Sequence, residues 1–270
     1  AKGADGMSAA APVNRILPLS TVDGPGCRAA VFLQGCNLAC AYCHNPDTWN
    51  KQDGKLTSVS DIMSQFDAVK EFLRGGGITC TGGEPLMQPE FVGEIFRRAK
   101  ERGVHTCLDS SGIMWNAGNA EMRTKIDRLL DFTDLVMLDI KHIDPGKHRW
   151  LTGQDNAGIL DFARHLSDRG IDVWIRHVLV PGVTDDDESL TRLGKFIGGI
   201  KTLRAIDVLP YHTMGIVKYE NLGLPYRLKD VPAATKAQAK AARDVIFSGV
   251  KQRIAEDIAK AKAEKAQKTE

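Results

Sequence analysis

No stretch of this sequence approaches the roughly 18 consecutive apolar residues that a membrane-spanning helix needs. No basic segment leading into a short apolar run marks a secretory signal either. Charge of one sign is also missing: 36 basic and 34 acidic residues leave a formal net charge of +2, too little to point to nucleic acid or an anionic membrane. Cysteine is sparse, six in 270 residues, which excludes a small disulfide scaffold and favours a reducing, cytoplasmic setting. No internal repeat, no Ser–His–Asp set and no Cys–His pair stands out. What remains is an ordinary globular composition, 43% hydrophobic and 26% charged, in a chain long enough for a sizeable core.

The chain divides simply. Ala1–Gly6 ahead of Met7 reads as a cloning remnant, and Ser8–Val13, rich in small residues, as disordered, so residues 1–13 are set apart. Residues 14–259 read as a single domain. From Arg28 onward apolar runs of strand length alternate with segments of helical period. The strand candidates are Arg28–Gln34, Gly77–Thr81, Val104–Asp109, Leu135–Asp139, Val173–Val180 and Ala205–Leu209. Between them, Val59, Ile62, Met63, Phe66, Val69 and Leu73 form one apolar face behind a capping box at Ser58 and Asp61. Phe91, Val92, Ile95, Phe96 and Ala99 form another. Further helices are expected around Ile159–Leu166, after a cap at Thr184 with Leu190, Leu193 and Ile197, and over Glu121–Leu130. Regular βα alternation means a parallel α/β sheet with right-handed crossovers. Six strands are too few for a closed eight-stranded barrel. Near the end, Val245, Ile246, Val250, Ile254 and Ile258 make an apolar stripe for a C-terminal helix on the body. Residues 260–270 read as a fraying, charged tail.

Half of the cysteines fall in LQGCNLACAYCHN (Leu33–Asn45), directly after the first strand candidate. Cys36, Cys40 and Cys43 have the spacing CxxxCxxC. Three thiols on so short a loop can converge on one metal centre, whereas pairing as disulfides is awkward. A cubane iron–sulfur cluster normally takes four protein thiolates, so three would leave one iron open to a ligand that is not protein. Zinc sites usually pair two CxxC elements, and no second CxxC exists here. An electron-transfer protein would need a fourth cysteine, for which Cys27 is the nearest candidate. Cys27, Cys80 and Cys107 otherwise read as small buried side chains.

Other unusual residues also follow strand candidates. Gly82-Gly83-Glu84-Pro85 follows the second, Asp109-Ser110 ends the third and Asp139-Ile140-Lys141 ends the fourth. Arg176 lies on the fifth, and Tyr211-His212 follows the sixth. Parallel barrels carry their sites at that end of the sheet, so a shared pocket is expected there. Bare glycines at 82 and 83 would let backbone approach a ligand, with Glu84 anchoring a cation. The carboxylates and Lys141 would form a polar floor for hydroxyls and a carboxylate. Arg176 reads equally well as a counter-ion or as part of a structural pair.

CxxxCxxC with Tyr42 before the last cysteine resembles the radical S-adenosylmethionine (SAM) superfamily. The wider run TVDGPGCR…FLQGC…CAYCHNPDTW (Thr21–Trp49) narrows the resemblance to the activating enzymes of glycyl radical enzymes, over most of the chain. That resemblance implies an open, partial (β/α)6 barrel. Cys36, Cys40 and Cys43 would hold a [4Fe–4S] cluster whose open iron is chelated by SAM, with Tyr42 and His44 beside it. Gly82, Gly83 and Glu84 would meet the methionine amino group. Asp109, Asp139, Ile140 and Lys141 would also contact SAM, Arg176 its carboxylate and His212 its adenosine portion. Asp109, Ser110, Met137 and Asp139 match a monovalent-cation site, with Ser110 where the family usually has Thr. The family's chemistry is reductive cleavage of SAM to methionine and a 5′-deoxyadenosyl radical, which takes a Cα hydrogen from a glycine of the partner. Asp23, in Asp23-Gly24-Pro25-Gly26, would hold the backbone of the partner's glycine loop. The partner would be pyruvate formate-lyase in the first instance, because Asn45–Ser58 lacks the cysteine-rich insert of many other such activases. Flavodoxin is the implied reductant.

Overall fold

In the computed structural model, which describes residues 9–73 and 75–267, the chain alternates strand and helix around one sheet. Its strands are β1 (Ala10–Ser20), β2 (Arg28–Leu33), β3 (Lys55–Ser58), β4 (Gly77–Gly82), β5 (His105–Ser110), β6 (Leu135–Asp139), β7 (Asp172–Leu179) and β8 (Leu203–Pro210). Its helices are α1 (Val59–Val69), α2 (Pro89–Glu101), α3 (Ala120–Leu130), α4 (Pro145–Thr152), α5 (Ala157–Asp168), α6 (Asp187–Ile197), α7 (Ile216–Asn221) and α8 (Lys236–Gln267). The strand order is β3-β1-β2-β4-β5-β6-β7-β8. Strands β2 and β4 to β8 run parallel, and β1 is antiparallel to both of its neighbours. With β3 and β8 at opposite edges the barrel is not closed. The expected partial barrel of six parallel strands is there, extended by an antiparallel pair.

The two faces of this sheet differ, and that difference positions the site. On one face Val31, Ile78, Leu108, Val136, Leu138 and Ile175 are fully buried in the main apolar cluster with the helices. Alternate residues point the other way along a strand. Those neighbours include Asp109, Asp139 and Arg176, which hydrogen-bond across the lumen. Parallel sheets are usually apolar on both faces, so the polar lining marks a place reserved for chemistry.

Local signals act as expected at most helices. Ser58 and Asp61 close a reciprocal capping box on α1, and the apolar faces of α1, α2, α5 and α6 are buried. Four expectations are corrected. Ala10–Val13 is not disordered: it pairs with β3 over its whole length and buries Ala11 and Val13. β3 is only four residues long at the sheet edge, and β1 is exposed or half-buried along most of its length, so neither showed a clear alternation. The cap of α6 is Asp186, not Thr184, whose hydroxyl instead bridges Val180 N–H and Val178 C=O. The C-terminal stripe packs only in its first half: Ile246 is fully buried, while Ile254 and Ile258 are about half exposed, at 47% and 52%. Helix α8 nevertheless continues to Gln267, so residues 260–267 are helical rather than frayed. The expectations for residues 1–8 and 268–270 lie outside the described residues. Among the described residues no helix is long and apolar enough to cross a membrane.

Candidate active site at the strand ends

The three cysteines sit on the loop that leaves β2, and that loop is tied down along its length. Gly35 and Cys36 N–H groups donate to the carbonyls of Thr48 and Trp49, and Ala39 and Ala41 N–H groups to those of Thr152 and Leu151 at the end of α4. The Gln34 side chain donates to Asp47 and Asn50 carbonyls at 2.8 Å each. From above, α7 straps the loop: Lys218 reaches Asn45 and Asp47, and the Tyr219 hydroxyl donates to the Cys40 carbonyl. None of the three thiols is in a disulfide. Burial pushes the thiols of Cys36 and Cys40 up to about 12, and burial raises Cys43 as well.

These thiols open on a cavity of about 330 Å³. Asp23, Tyr42, His44, Gly82, Gly83, Glu84, Asp109, Ser110, Asp139, Lys141, Arg176 and His212 line it too. Two expected residues do not. Ile140 is buried among the apolar side chains of the helical layer. Its backbone ties β6 to β7, donating to the Arg176 carbonyl and accepting from His177 Nδ1. Met137 packs below the cavity with Cys107, Leu135 and Trp174. Ile140, one position past Asp139, turns to the opposite face, whereas Met137 shares the face of Asp139 but sits two residues deeper along β6.

The glycines act differently from expectation. A Cβ on Gly83 would meet the Gly35 carbonyl oxygen at 2.0 Å, and Gly82 holds φ at +112° against Leu33. The missing side chains therefore let the turn after β4 press onto the turn after β2, clamped by Gly83 N–H to Leu33 C=O and Glu84 N–H to Gly35 C=O. Glu84 does not reach for a cation either. Its Oε1 accepts from Ser110 Oγ and Leu86 N–H, and its Oε2 from Ser111 N–H and Oγ. At 1% exposure it is a brace joining the turns after β4 and β5.

Charge collects on the opposite wall. Arg176 donates to Asp109 and, through Nε at 3.2 Å, to Asp139, which also accepts from Lys141 Nζ at 3.1 Å. Burial raises Asp139, yet Arg176 and Lys141 outweigh it and hold the carboxyl down to about 2. Asp109 has one cation instead of two, plus the Thr81 hydroxyl, and burial pushes it up to about 6. Asp23, Glu84, Asp109 and Asp139 line the cavity with Lys141 and Arg176, a mixed-charge wall that suits a ligand carrying both signs. The rings of His44 and His212 meet edge to face at 4.9 Å, and burial pushes His44 down. The Tyr42 hydroxyl is buried with no partner among the described residues.

Thr81, Ser111 and α7 were missed. Thr81 and Ser111 adjoin recognised motifs and could have been found by that adjacency. No local signal links Lys218 or Tyr219 to a loop more than 170 residues away. Cys27, the candidate fourth ligand, lies just before β2, while the cysteine loop follows that strand. Six residues at about 3.3 Å each put the two ends roughly 20 Å apart, so Cys27 cannot complete a cluster on that loop.

A family model described as the radical SAM superfamily matches residues 30–193. The pyruvate formate-lyase-activating enzyme of Staphylococcus epidermidis is 47% identical over 235 residues, 86% of this chain and 93% of that protein. That of Listeria monocytogenes is 47% identical over 223 residues, 82% of this chain and 90% of that protein. In fold alone, the chain is similar to a radical SAM methyltransferase from Sphaerobacter thermophilus, with a TM-score of 0.58 at 15% identity over 88% of this chain and 75% of that one. The chain belongs to the radical SAM superfamily, within the family of pyruvate formate-lyase-activating enzymes.

Proposed function

We propose that this chain activates pyruvate formate-lyase by installing a glycyl radical in it. One observation carries the reading: side chains from the C-terminal ends of all six parallel strands converge on a single cavity beside three unpaired thiols. The donor set fits a [4Fe–4S] cluster with one open iron, and the partnerless Tyr42 hydroxyl leaves a hydrogen bond for a ligand. When bound, the cluster supplies one electron to SAM, releasing methionine and a 5′-deoxyadenosyl radical that takes a Cα hydrogen from the partner's glycine.

The chain's own residues position and exclude. Cys36, Cys40 and Cys43 hold their protons when bare, because burial disfavours the thiolate, and give them up on binding iron. The Asp139–Lys141 and Asp109–Arg176 pairs meet the charged amino-acid end of SAM with groups already oriented, so little reorganisation is needed in the reaction. His212, against His44, takes the adenosine portion. Phe32, Leu38, Val178 and Leu209 help wall the cavity off from dissolved reductants and hydrogen donors that would quench the radical. Asp23 accepts from the backbone of the partner's glycine loop.

Three finer points belong to the same proposal. A monovalent cation near Asp109, Ser110, Met137 and Asp139 would compete with Arg176, which bridges the two carboxylates. The electron would come from a flavodoxin-type donor. The unpaired cysteines favour a cytoplasmic location. The test is electron paramagnetic resonance on anaerobic, cluster-loaded protein mixed with SAM, a strong reductant and pyruvate formate-lyase. A glycyl radical doublet is expected, and it should be absent with Cys40→Ala. Formation of 5′-deoxyadenosine without the doublet would replace pyruvate formate-lyase by another glycyl partner. Absence of both from loaded protein would refute the radical reading.

A further inference from the structure

Arg28 is the largest fully buried side chain, at 0% exposure, yet no carboxylate among the described residues accepts a hydrogen bond from it. A guanidinium in that position is costly unless its donors are used, and all of its nitrogens are engaged. Nη2 donates to the carbonyls of Ile78 and His105 and contacts His105 Nδ1 at 3.2 Å, which ties β2 to β4 and β5. The other two nitrogens serve a different segment. Nη1 donates to the Pro25 carbonyl at 3.1 Å. Nε donates to Thr79 Oγ1 at 2.7 Å, and that hydroxyl passes its own proton to the Asp23 carbonyl at 2.7 Å.

The carbonyls on both sides of Gly24 are thus fixed from below by one side chain and its relay. Gly24 and Gly26 hold φ at +121° and +76°. A Cβ on Gly24 would sit 3.0 Å from Arg28 Cδ, and one on Gly26 would sit 2.6 Å from the Gly75 carbonyl. The loop enters from the N-terminal end of the sheet, before β2, and still brings Asp23 to the cavity wall. There Ser20 Oγ donates to one Asp23 oxygen, and the other makes no hydrogen bond to the described residues.

We propose that Arg28 and Thr79 are positioning residues for partner binding, holding the Asp23–Gly26 loop so that the Asp23 carboxylate is presented to the partner's backbone. This rests on the activase reading. Neither side chain lines the cavity, so SAM cleavage in the absence of partner should not need them. A residue that only supported the base of the barrel would affect every activity alike.

The experiment uses cluster-loaded Thr79→Val, Thr79→Ser and Arg28→Lys. Two quantities are read for each: partner-independent, dithionite-driven formation of 5′-deoxyadenosine, and glycyl radical formation against pyruvate formate-lyase concentration. Thr79→Val keeps shape and loses the relay, so KM for the partner should rise about tenfold, the scale of one lost hydrogen bond, with partner-independent cleavage within about twofold of wild type. More 5′-deoxyadenosine should be formed per glycyl radical, and Thr79→Ser should restore both readouts. Parallel loss of both activities in Thr79→Val, or no change in either, overturns the proposal. Should Arg28→Lys fail to fold, the Thr79 pair still decides. A wild type that cleaves no SAM would instead overturn the activase reading on which the proposal stands.

Discussion

Replacing Glu84 with glutamine keeps its shape and changes what its two oxygens can do. In the structure each oxygen accepts one backbone N–H, from Leu86 on Oε1 and Ser111 on Oε2, and one hydroxyl, from Ser110 and Ser111. A hydroxyl can turn away from an amide NH2 group, but a backbone N–H cannot. Whichever way the glutamine flips, one buried N–H is left facing another donor. That orphan costs about 1–3 kcal/mol, and weakening the remaining bonds from charge-assisted to neutral adds about 1 kcal/mol, for a total of about 2–4 kcal/mol. At about 2–4 °C per kcal/mol for a chain of this size, Glu84→Gln should melt roughly 4–16 °C below wild type at neutral pH. Circular dichroism of the two proteins measures it, and KM for SAM should rise because the turns after β4 and β5 are no longer joined. Burial raises the Glu84 pKa against those hydrogen bonds. A midpoint unchanged within about 1 °C would mean a carboxylic acid that glutamine mimics, and the brace argument would fail.

Asp109 and Asp139 give the bare protein a stability that depends on pH with opposite signs. Asp109 is raised from 3.8 to about 6, so its stabilising term is present below pH 3.8 and lost as pH rises through about 6, a loss of up to about 3 kcal/mol. Asp139, held down to about 2, stabilises above its unfolded pKa and loses that only in strong acid. In urea unfolding between about pH 4 and 7, stability should therefore change less favourably with rising pH in wild type than in Asp109→Asn; the same slope in both proteins would count against it. The packing of α8 predicts a contrast. Ile246→Ala, at 0% exposure, should cost about 2–5 kcal/mol. Ile258→Ala, at 52% exposure, should stay within about 0.5 kcal/mol of wild type in the same assay.

Much of this molecule is legible in its residues because the informative signals are local. CxxxCxxC needs only eight residues, Cys36 to Cys43, to announce a three-thiol centre. The six parallel strands stand out because each is a short apolar run between helical periods. Polar residues at their ends stand out because a strand that turns polar where it stops is seldom coincidence in a parallel sheet. The domain's antiparallel edge was less legible: Ala10–Ser20 is exposed or half-buried along most of its length, so its pattern resembles a loop.

What only the tertiary structure decided is how each polar group is used. From the sequence, Gly82 and Gly83 suggested room for a ligand; in the fold a Cβ on Gly83 would meet the Gly35 carbonyl and one on Gly82 the Leu33 backbone, so both also let two turns close on each other. Glu84 suggested a counter-charge, whereas four donors from within two residues of it and from 26 and 27 residues away consume both oxygens. Arg176 was balanced between two roles, and in the fold it bridges carboxylates 67 and 37 residues distant. Arg28 stood in the run TVDGPGCR with no role that its sequence position could assign. The physical reason is common to them: a hydrogen bond depends on where partners lie within about 3 Å, and chain connectivity constrains that distance only for near neighbours. Residue type and spacing determined which chemistry is present; the packing of the open sheet and its loops determined which groups are spent holding the site and which remain free to act in it.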